Sequence, residues 1–260
     1  MSIDFFLTTL PVSFLLLLGN FKVKTLKRIA VRENEQDLEI LLGSWIKAIV
    51  RYTSANPYDN PWWYNERASL SVLAGAAWTL KKWHALEEFS TFKRHRTLEP
   101  GVDSGSLRHG RCDLYIQSPG TSFAIEAKQT VQSIGFRSDG STFAERAMRK
   151  AWQDSGDLNK QEAHRRFAVT FIVPSIPKSE VSVKENGEDK ICEKKVETAI
   201  DAWLDNQKNL IEQSARPKDF AYVFPRLGTP NYLYGNRYYP GVVMIFEERY
   251  RAYRRENTNE

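Results

Sequence analysis

The sequence predicts an α/β domain in which a mixed sheet is flanked by helices. Predicted helices and strands alternate along the chain, two alternating segments flank the turn "SPGT", and the continuous apolar run "RFAVTFIVP" is typical of a strand buried on both faces. The chain has 260 residues, of which 42% are hydrophobic and 27% charged. This length and composition suit a folded soluble protein with a sizeable core.

Residues 1–60 are expected to form an apolar segment and a helix that pack on the core, and residues 61–260 to form the main domain. The run "FFLTTLPVSFLLLLGNF" is shorter than the ~20 apolar residues that span a membrane, and Pro11 interrupts it. A packed or loosely attached segment is therefore favoured over membrane insertion. Cys112 and Cys192 cannot build a disulfide framework, which fits a cytoplasmic location.

The first helices are predicted from apolar residues at helical spacing. One helix is expected from about residue 33 to residue 53, and the prolines of "SANPYDNPWW" then indicate a loop. Asn65 is a candidate N-cap for the next helix. The buried stripe predicted for that second helix consists of Leu70, Leu73, Ala74, Ala77 and Trp78.

Strands dominate the next part of the chain. "ALEEFSTFKRH", "GRCDLYIQ" and "FAIEAKQ" are three strand candidates, and a helix is predicted over 143–158 with Thr142 and Glu145 as its capping box. "RFAVTFIVP" is the fourth strand. A turn at Asn186-Gly187, a helix from Val196 to Ile211 and the apolar strands "FAYVF" and "GVVMIF" follow.

The hairpin around "SPGT" places acidic residues together. If its turn is centred on Pro119-Gly120, facing residues have numbers that sum to 239, so Asp113 faces Glu126 and Arg111 faces Lys128. On the first strand Cys112, Leu114 and Ile116 are then expected to point to the core. Asp113 is expected on the opposite face, with Glu126 and Lys128. A wider loop or a bulge would shift this register.

Two carboxylates that face each other across a ladder repel, so something should compensate them. A divalent cation would do so, because Mg²⁺ takes oxygen ligands from carboxylates, carbonyls and water. A lysine beside the metal could hold an attacking water or offset charge on a phosphate. The simpler alternative is a solvated sheet face on which Arg111 and Lys128 neutralise Asp113 and Glu126.

These residues resemble the signature of the PD-(D/E)XK, or restriction-endonuclease-like, superfamily. That signature is an Asp on one strand of a hairpin and E-x-K on the next, and Cys112-Asp113 and Glu126-Ala127-Lys128 occupy those positions. Cys112 replaces the nominal proline. The resemblance covers about 110 residues, from Asn65 to Pro174, and implies a restriction-endonuclease-like mixed sheet flanked by helices, with residues 61–260 as a nuclease-like domain.

The resemblance implies that Asp113 and Glu126 bind Mg²⁺ or Mn²⁺ and that Lys128 orients the water or stabilises the transition state. Many members add a Glu from the preceding helix, and Glu66 is the candidate here, although a Glu in a first helical turn is also favoured by the helix dipole. Gln129 follows the lysine, but by strand alternation it points away from the site face.

The implied function is a metal-dependent nuclease that hydrolyses phosphodiester bonds in DNA, with restriction, repair or phage defence as alternative roles. The alternative is an inactive protein of the same fold that binds nucleic acid or a protein partner. A homodimer is compatible with the resemblance, although no stretch identifies an interface. A net charge of +5 permits nucleic-acid binding. Basic residues cluster at Lys81, Lys82, Lys93, Arg94 and Arg96, and again at Arg146, Arg149, Lys150, Arg165 and Arg166. If helix and hairpin pack as predicted, the second group lies near the carboxylates and could contact phosphates.

Overall fold

The computed structural model describes residues 24–94, 106–136, 138, 140–159, 161–206 and 218–249. The apolar N-terminal run, Arg96 and the last predicted positions of the helix that was expected to reach Ile211 lie outside these ranges.

The described ranges contain five α-helices and eleven strands. The helices are α1 (Gln36–Ala55), α2 (Glu66–Trp78), α3 (Thr142–Asp157), the single turn α4 (Lys178–Val181) and α5 (Glu193–Asn206). The strands are β1 (Leu26–Ala30), β2 (His84–Arg94), β3 (Leu107–Gln117), β4 (Ser122–Ser133), β5 (Arg165–Pro177), β6 (Ser182–Glu185), β7 (Glu188–Ile191), β8 (Lys218–Phe224), β9 (Leu233–Tyr234), β10 (Arg237–Tyr238) and β11 (Val242–Glu248).

Nine strands form one mixed sheet, and the helices flank it. Seven of them lie in the order β1-β8-β11-β5-β4-β3-β2, and β9 and β10 extend the sheet beside β5. β4 and β5 are parallel and are connected by α3, whereas the other neighbouring strands are antiparallel. β6 and β7 form a separate hairpin. The predicted α/β class with a mixed sheet is confirmed.

The register predicted for the β3–β4 hairpin is confirmed from Leu114 to Gln117, but the predicted pairs Asp113–Glu126 and Arg111–Lys128 are not formed, because the ladder ends at Leu114–Ile125. Leu114 faces Ile125 and Gln117 faces Ser122, so the facing numbers sum to 239. The Ser118 hydroxyl fixes the turn, because it accepts hydrogen bonds from the backbone N–H groups of Gly120 and Thr121 at 3.2 and 2.9 Å. These hydrogen bonds order the connection between Gln117 and Ser122.

β5 is buried on both faces, as its continuous apolar sequence predicts. Its residues from Arg166 to Ile176 are all buried. On the neighbouring strand, the side chain of Gln129 contacts Ser69 of α2, whereas that of Lys128 contacts Asp154 of α3. Successive residues of β4 therefore face two different helical layers.

Two helix details differ from the sequence prediction. Trp78 is 55% exposed at the end of α2, and its indole N–H donates to the Ala85 carbonyl at 2.9 Å, so this side chain lies over the start of β2 and outside the buried stripe. Thr142 lies inside α3, whose N-cap is Ser141; the Ser141 hydroxyl bonds the side chain of Glu145 at 3.0 Å and not the backbone. Asn65 caps α2 as predicted, since it accepts from Ala68 N–H.

Cys112 is buried, as expected, but it does not share a cluster with Leu114 and Ile116. It lies in a smaller cluster with Ala124, Leu158 and Ala163, whereas Leu114 and Ile116 belong to the main core. The ladder between β2 and β3 leaves Glu88 and Asp113 unpaired with each other, and Glu88 has φ 51°. Strand alternation is therefore interrupted at Asp113, immediately after Cys112.

Residues 24–55 belong to the same sheet and core as the rest of the described chain. β1 pairs with β8, and α1 packs on α2, where the Ser44 hydroxyl donates to the Ala76 carbonyl at 2.9 Å. Leu42 and Trp45 of α1 are 0% and 1% exposed. Among the described residues, no helix combines the length and the apolar character needed to cross a membrane.

Candidate functional site

The candidate site lies where β3 and β4 separate. Their ladder ends at the Leu114–Ile125 pair, although β4 continues beside β5 to Ser133. Beyond Ile125, the edge of β4 that faces β3 therefore has no strand partner. Unpaired backbone groups next to the core need other hydrogen-bond partners.

Two of the predicted site carboxylates accept hydrogen bonds from unpaired backbone N–H groups along this edge. Asp113 Oδ2 accepts from the Ala127 N–H at 2.8 Å, and Glu66 Oε2 accepts from the Gln129 N–H at 3.2 Å. Residues two apart in a strand direct their N–H groups to the same side, so both carboxylates lie along one edge. Asp113 was predicted on the sheet face; its carboxylate instead lies at the strand edge, in the gap that β3 leaves.

Glu126, the residue before Ala127 on β4, is only 3% exposed. Lys93 Nζ, from β2, lies 2.6 Å from Glu126 Oε1, yet no donor among the described residues meets that oxygen with hydrogen-bond geometry. Burial and the Asp113 carboxylate raise the pKa of Glu126 to about 8, and the Lys93 ammonium opposes this rise. The site thus holds a carboxyl group that lacks sufficient positive charge.

Lys128 lies on the same strand between two further carboxylates. Its Nζ is 3.2 Å from Asp154 Oδ2 of α3 and 3.8 Å from Glu66 Oε1, and it donates to the Ala127 carbonyl. Burial would lower the pKa of Lys128, but the Glu66, Asp113 and Asp154 carboxylates outweigh it and raise the pKa. The side chain is therefore a fixed ammonium group.

Glu66 occupies the first position of α2, directly after the Asn65 cap. Burial is the largest effect that raises the pKa of Glu66, and the Asp113 carboxylate adds to it, while Lys128 and the Gln129 N–H oppose the rise. The structure therefore brings all four predicted residues together: Glu66, Asp113, Glu126 and Lys128.

Three residues were missed as parts of the site, or were assigned another role. Lys93 was noted only as a member of a basic cluster, because its reach depends on how β2 aligns with β3. Asp154 follows Ala151 of the predicted apolar stripe by three residues, and that helical spacing could have indicated that it faces the sheet. The side chain of Gln129 points away from the site, as predicted, and bonds Ser69 and the carbonyl of Tyr64; its backbone N–H holds Glu66.

Some of the predicted charge partners have structural roles. Arg111 lies 3.4 Å from Glu88 and 70% of its side chain is exposed, so it neutralises Glu88 and not the site carboxylates. Arg165 pairs with Glu35 and Glu248 at 2.6 Å.

Buried Arg166 donates to the Leu158 carbonyl at 2.9 Å, so neither it nor Arg165 is positioned as a phosphate contact. Arg146, Arg149 and Lys150 of α3 are exposed, and Lys150 pairs with Asp154 at 3.2 Å, next to Lys128.

The donor chemistry of the site suits a hard cation. Glu66, Asp113 and Glu126 offer only carboxylate oxygens, which Mg²⁺ and Mn²⁺ prefer, and buried Glu126 Oε1 accepts no well-aligned hydrogen bond within the described part of the chain. In their present positions, however, no three His, Cys, Asp or Glu side chains of the described residues form a group arranged to hold a metal ion. A cation would need local movement, above all of Lys93.

Comparisons with known proteins add nothing to this geometry. No protein-family model, no curated protein and no solved structure matches the chain.

Proposed function

We propose that the protein is a metal-dependent nuclease of the restriction-endonuclease-like class that hydrolyses phosphodiester bonds in DNA. The observation that carries this proposal is the convergence of Asp113, Glu126 and Lys128, with Glu66, at the open edge of β4. The order α2, β2, β3, β4, α3, β5 supports it, because this is the element order that the resemblance implies.

Each side chain would have a distinct task. Asp113, Glu126 and Glu66 would hold Mg²⁺ or Mn²⁺, which when bound activates water and neutralises charge on the phosphate. The Lys128 ammonium, fixed between Glu66 and Asp154, would orient the attacking water and stabilise the negative charge on the phosphate oxygens. The water oxygen would form the new bond to phosphorus as the bond between phosphorus and the sugar oxygen breaks; the water would lose a proton to solvent, and the sugar oxygen would take one up.

DNA would reach the site along α3. Arg146, Arg149 and Lys150 are exposed on this helix, and Lys150 is linked to Lys128 through Asp154. Exposed basic side chains beside a phosphodiester site supply contacts to the substrate backbone. A protein with this surface binds DNA less tightly as the salt concentration rises.

Plasmid cleavage tests the proposal directly. The wild-type protein should nick or linearise plasmid with Mg²⁺ and not with excess chelator, and Asp113→Asn and Lys128→Met should lose this activity. Lys184→Met is a matched control, because Lys184 is 72% exposed on the separate β6–β7 hairpin. Cleavage that persists in both site variants would falsify the assigned roles.

The second candidate function is an inactive nuclease-like fold that binds nucleic acid or a protein partner. One observation favours it: Lys93 already places an ammonium group 2.6 Å from Glu126 without a metal. Calorimetry separates the two functions. Mg²⁺ or Mn²⁺ binding that disappears in Glu126→Gln supports the enzyme, whereas DNA binding without any metal binding supports the inactive fold.

A further inference from the structure

Lys93 reaches Glu126 by a route that depends on one glycine. In the β2–β3 ladder Lys93 faces Arg108, and its side chain then runs across Gly110 toward β4. A Cβ atom at position 110 would lie 2.9 Å from both Cγ and Cδ of Lys93, which is closer than such atoms pack. Gly110 therefore leaves the space through which the Lys93 side chain crosses β3.

The end of this route is an enclosed ion pair. The Lys93 side chain is 15% exposed and that of Glu126 is 3% exposed, and the two charged atoms are 2.6 Å apart. Confining a long lysine side chain and removing its ammonium group from water are both unfavourable. The attraction between this ammonium group and the Glu126 carboxylate must therefore outweigh these two costs.

The two lysines of the site are held very differently. Lys128 contacts Glu66, Asp154 and the Ala127 carbonyl, whereas Lys93 contacts a single carboxylate among the described residues. Loss of that one contact would free Lys93, while Lys128 would keep its position. Lys93 is thus the ammonium group that can leave the site.

We propose that Lys93 is a displaceable counterion: its ammonium group occupies the cation position at Glu126 in the metal-free protein and leaves when Mg²⁺ or Mn²⁺ binds. This inference rests on the proposed function, since it requires a metal at Glu126. A dication bound to Glu126 and an ammonium group 2.6 Å from the same oxygen would repel each other strongly, so the two alternate. Metal binding therefore includes an outward movement of Lys93.

Lysine reactivity reports this movement without any activity assay. The full-length wild-type protein is reductively methylated for short times, and the modification of each lysine is measured by mass spectrometry. Without metal, Lys93 should react slowly. With saturating Mg²⁺, its rate should rise about tenfold, the factor that corresponds to losing a contact of about 1.4 kcal/mol. Lys184, exposed on the remote hairpin, should react equally fast in both conditions.

Two variants test the contact between Lys93 and Glu126 by changing the carboxylate or the space that the lysine side chain crosses. Glu126→Gln removes the charge that holds Lys93, and Gly110→Ala fills the space that its side chain crosses. Gly110 does not have a positive φ, so the alanine is compatible with the backbone. Both variants should make Lys93 react fast without metal, with Lys184 unchanged.

The outcomes separate this inference from the proposed function. If calorimetry shows Mg²⁺ binding while Lys93 stays equally protected, the counterion role is wrong and the metal site remains. If Lys93 already reacts as fast as Lys184 in the metal-free protein, the counterion role is also wrong. If no Mg²⁺ or Mn²⁺ binds at all, both the metal-dependent function and the displacement are wrong.

Discussion

The hydrogen bond between Asp113 and the edge of β4 predicts that two substitutions at one position have different effects on stability. Asp113 Oδ2 accepts from the N–H of Ala127, a residue that is 0% exposed. Asp113→Ala leaves this buried donor without its acceptor, which costs about 1–3 kcal/mol. Asp113→Asn keeps a side-chain oxygen at the same place and should keep the hydrogen bond.

The negative charge of Asp113 affects stability separately from this hydrogen bond. Its carboxylate raises the pKa of both Glu66 and Glu126, so it repels two neighbouring carboxyl groups in the metal-free protein. The same carboxylate attracts the Lys128 ammonium group. Both substitutions remove this charge, so they differ mainly in the hydrogen bond: Asp113→Asn should be more stable than Asp113→Ala, while both lose metal binding and cleavage.

Thermal unfolding followed by circular dichroism measures the difference. For a chain of this size each kcal/mol shifts Tm by roughly 2–4 °C, so in chelator Asp113→Ala should melt roughly 2–12 °C below Asp113→Asn. If the two variants melt at the same temperature, the Asp113 side chain does not hold the Ala127 N–H in the folded protein.

Three further predictions concern the rest of the fold. Asp219 is 0% exposed and accepts hydrogen bonds of 2.7–3.2 Å from the Arg32 guanidinium. Asp219→Ala should therefore lower the free energy of unfolding, measured by urea titration, by about 3 kcal/mol. A loss below about 1 kcal/mol would contradict this. Burial acts to raise the pKa of Glu248, but Arg165 and Arg32 outweigh it and lower this pKa. The ionised Glu248 carboxylate therefore stabilises the folded protein fully above the ordinary glutamate pKa of about 4.3, and this stabilisation is lost as the pH falls through the lowered pKa. The stability difference between the wild type and Glu248→Gln should therefore shrink from pH 6 to pH 3, and a difference that grows would show the opposite sign. Gly187 has φ +82° in the β6–β7 turn, so Gly187→Ala should lower the free energy of unfolding by about 1 kcal/mol. Gly75 lies inside α2 with nothing within 4 Å of the new Cβ, so Gly75→Ala should raise the free energy of unfolding by about 0.5–1 kcal/mol. Equal effects of the two substitutions would exclude backbone conformation as the cause.

The fold could be predicted to the extent that it follows local patterns. Alternation and turn residues placed β3, β4 and their register, and the continuous apolar run predicted that β5 is buried. The identity of the strand beside β1 depends on long-range pairing, and no local pattern encodes that β1 lies next to β8. The exposure of Trp78 has a similar origin, because its helix ends where the indole can reach the Ala85 carbonyl.

The site could be predicted in its residues but not in its internal contacts. Carboxylate spacing on two strands was enough to select Asp113, Glu126 and Lys128. The Lys93 contact depends on a residue from β2 that crosses a full strand at Gly110, and the sequence does not show which glycine leaves room for a neighbour's side chain. Pairings of this kind need the three-dimensional register of three strands.

The opening between β3 and β4 explains why the site residues and the sheet depend on each other. In a fully paired hairpin the N–H groups of Ala127 and Gln129 would bond β3, and Asp113 and Glu66 would have no donors at this edge. The early end of the ladder exposes these N–H groups and the Ala127 carbonyl; the two carboxylates accept from the N–H groups, and Lys128 donates to the carbonyl. An unpaired edge next to the core is unfavourable unless side chains complete it. The residues proposed for catalysis are therefore also those that complete the unpaired edge of the hairpin.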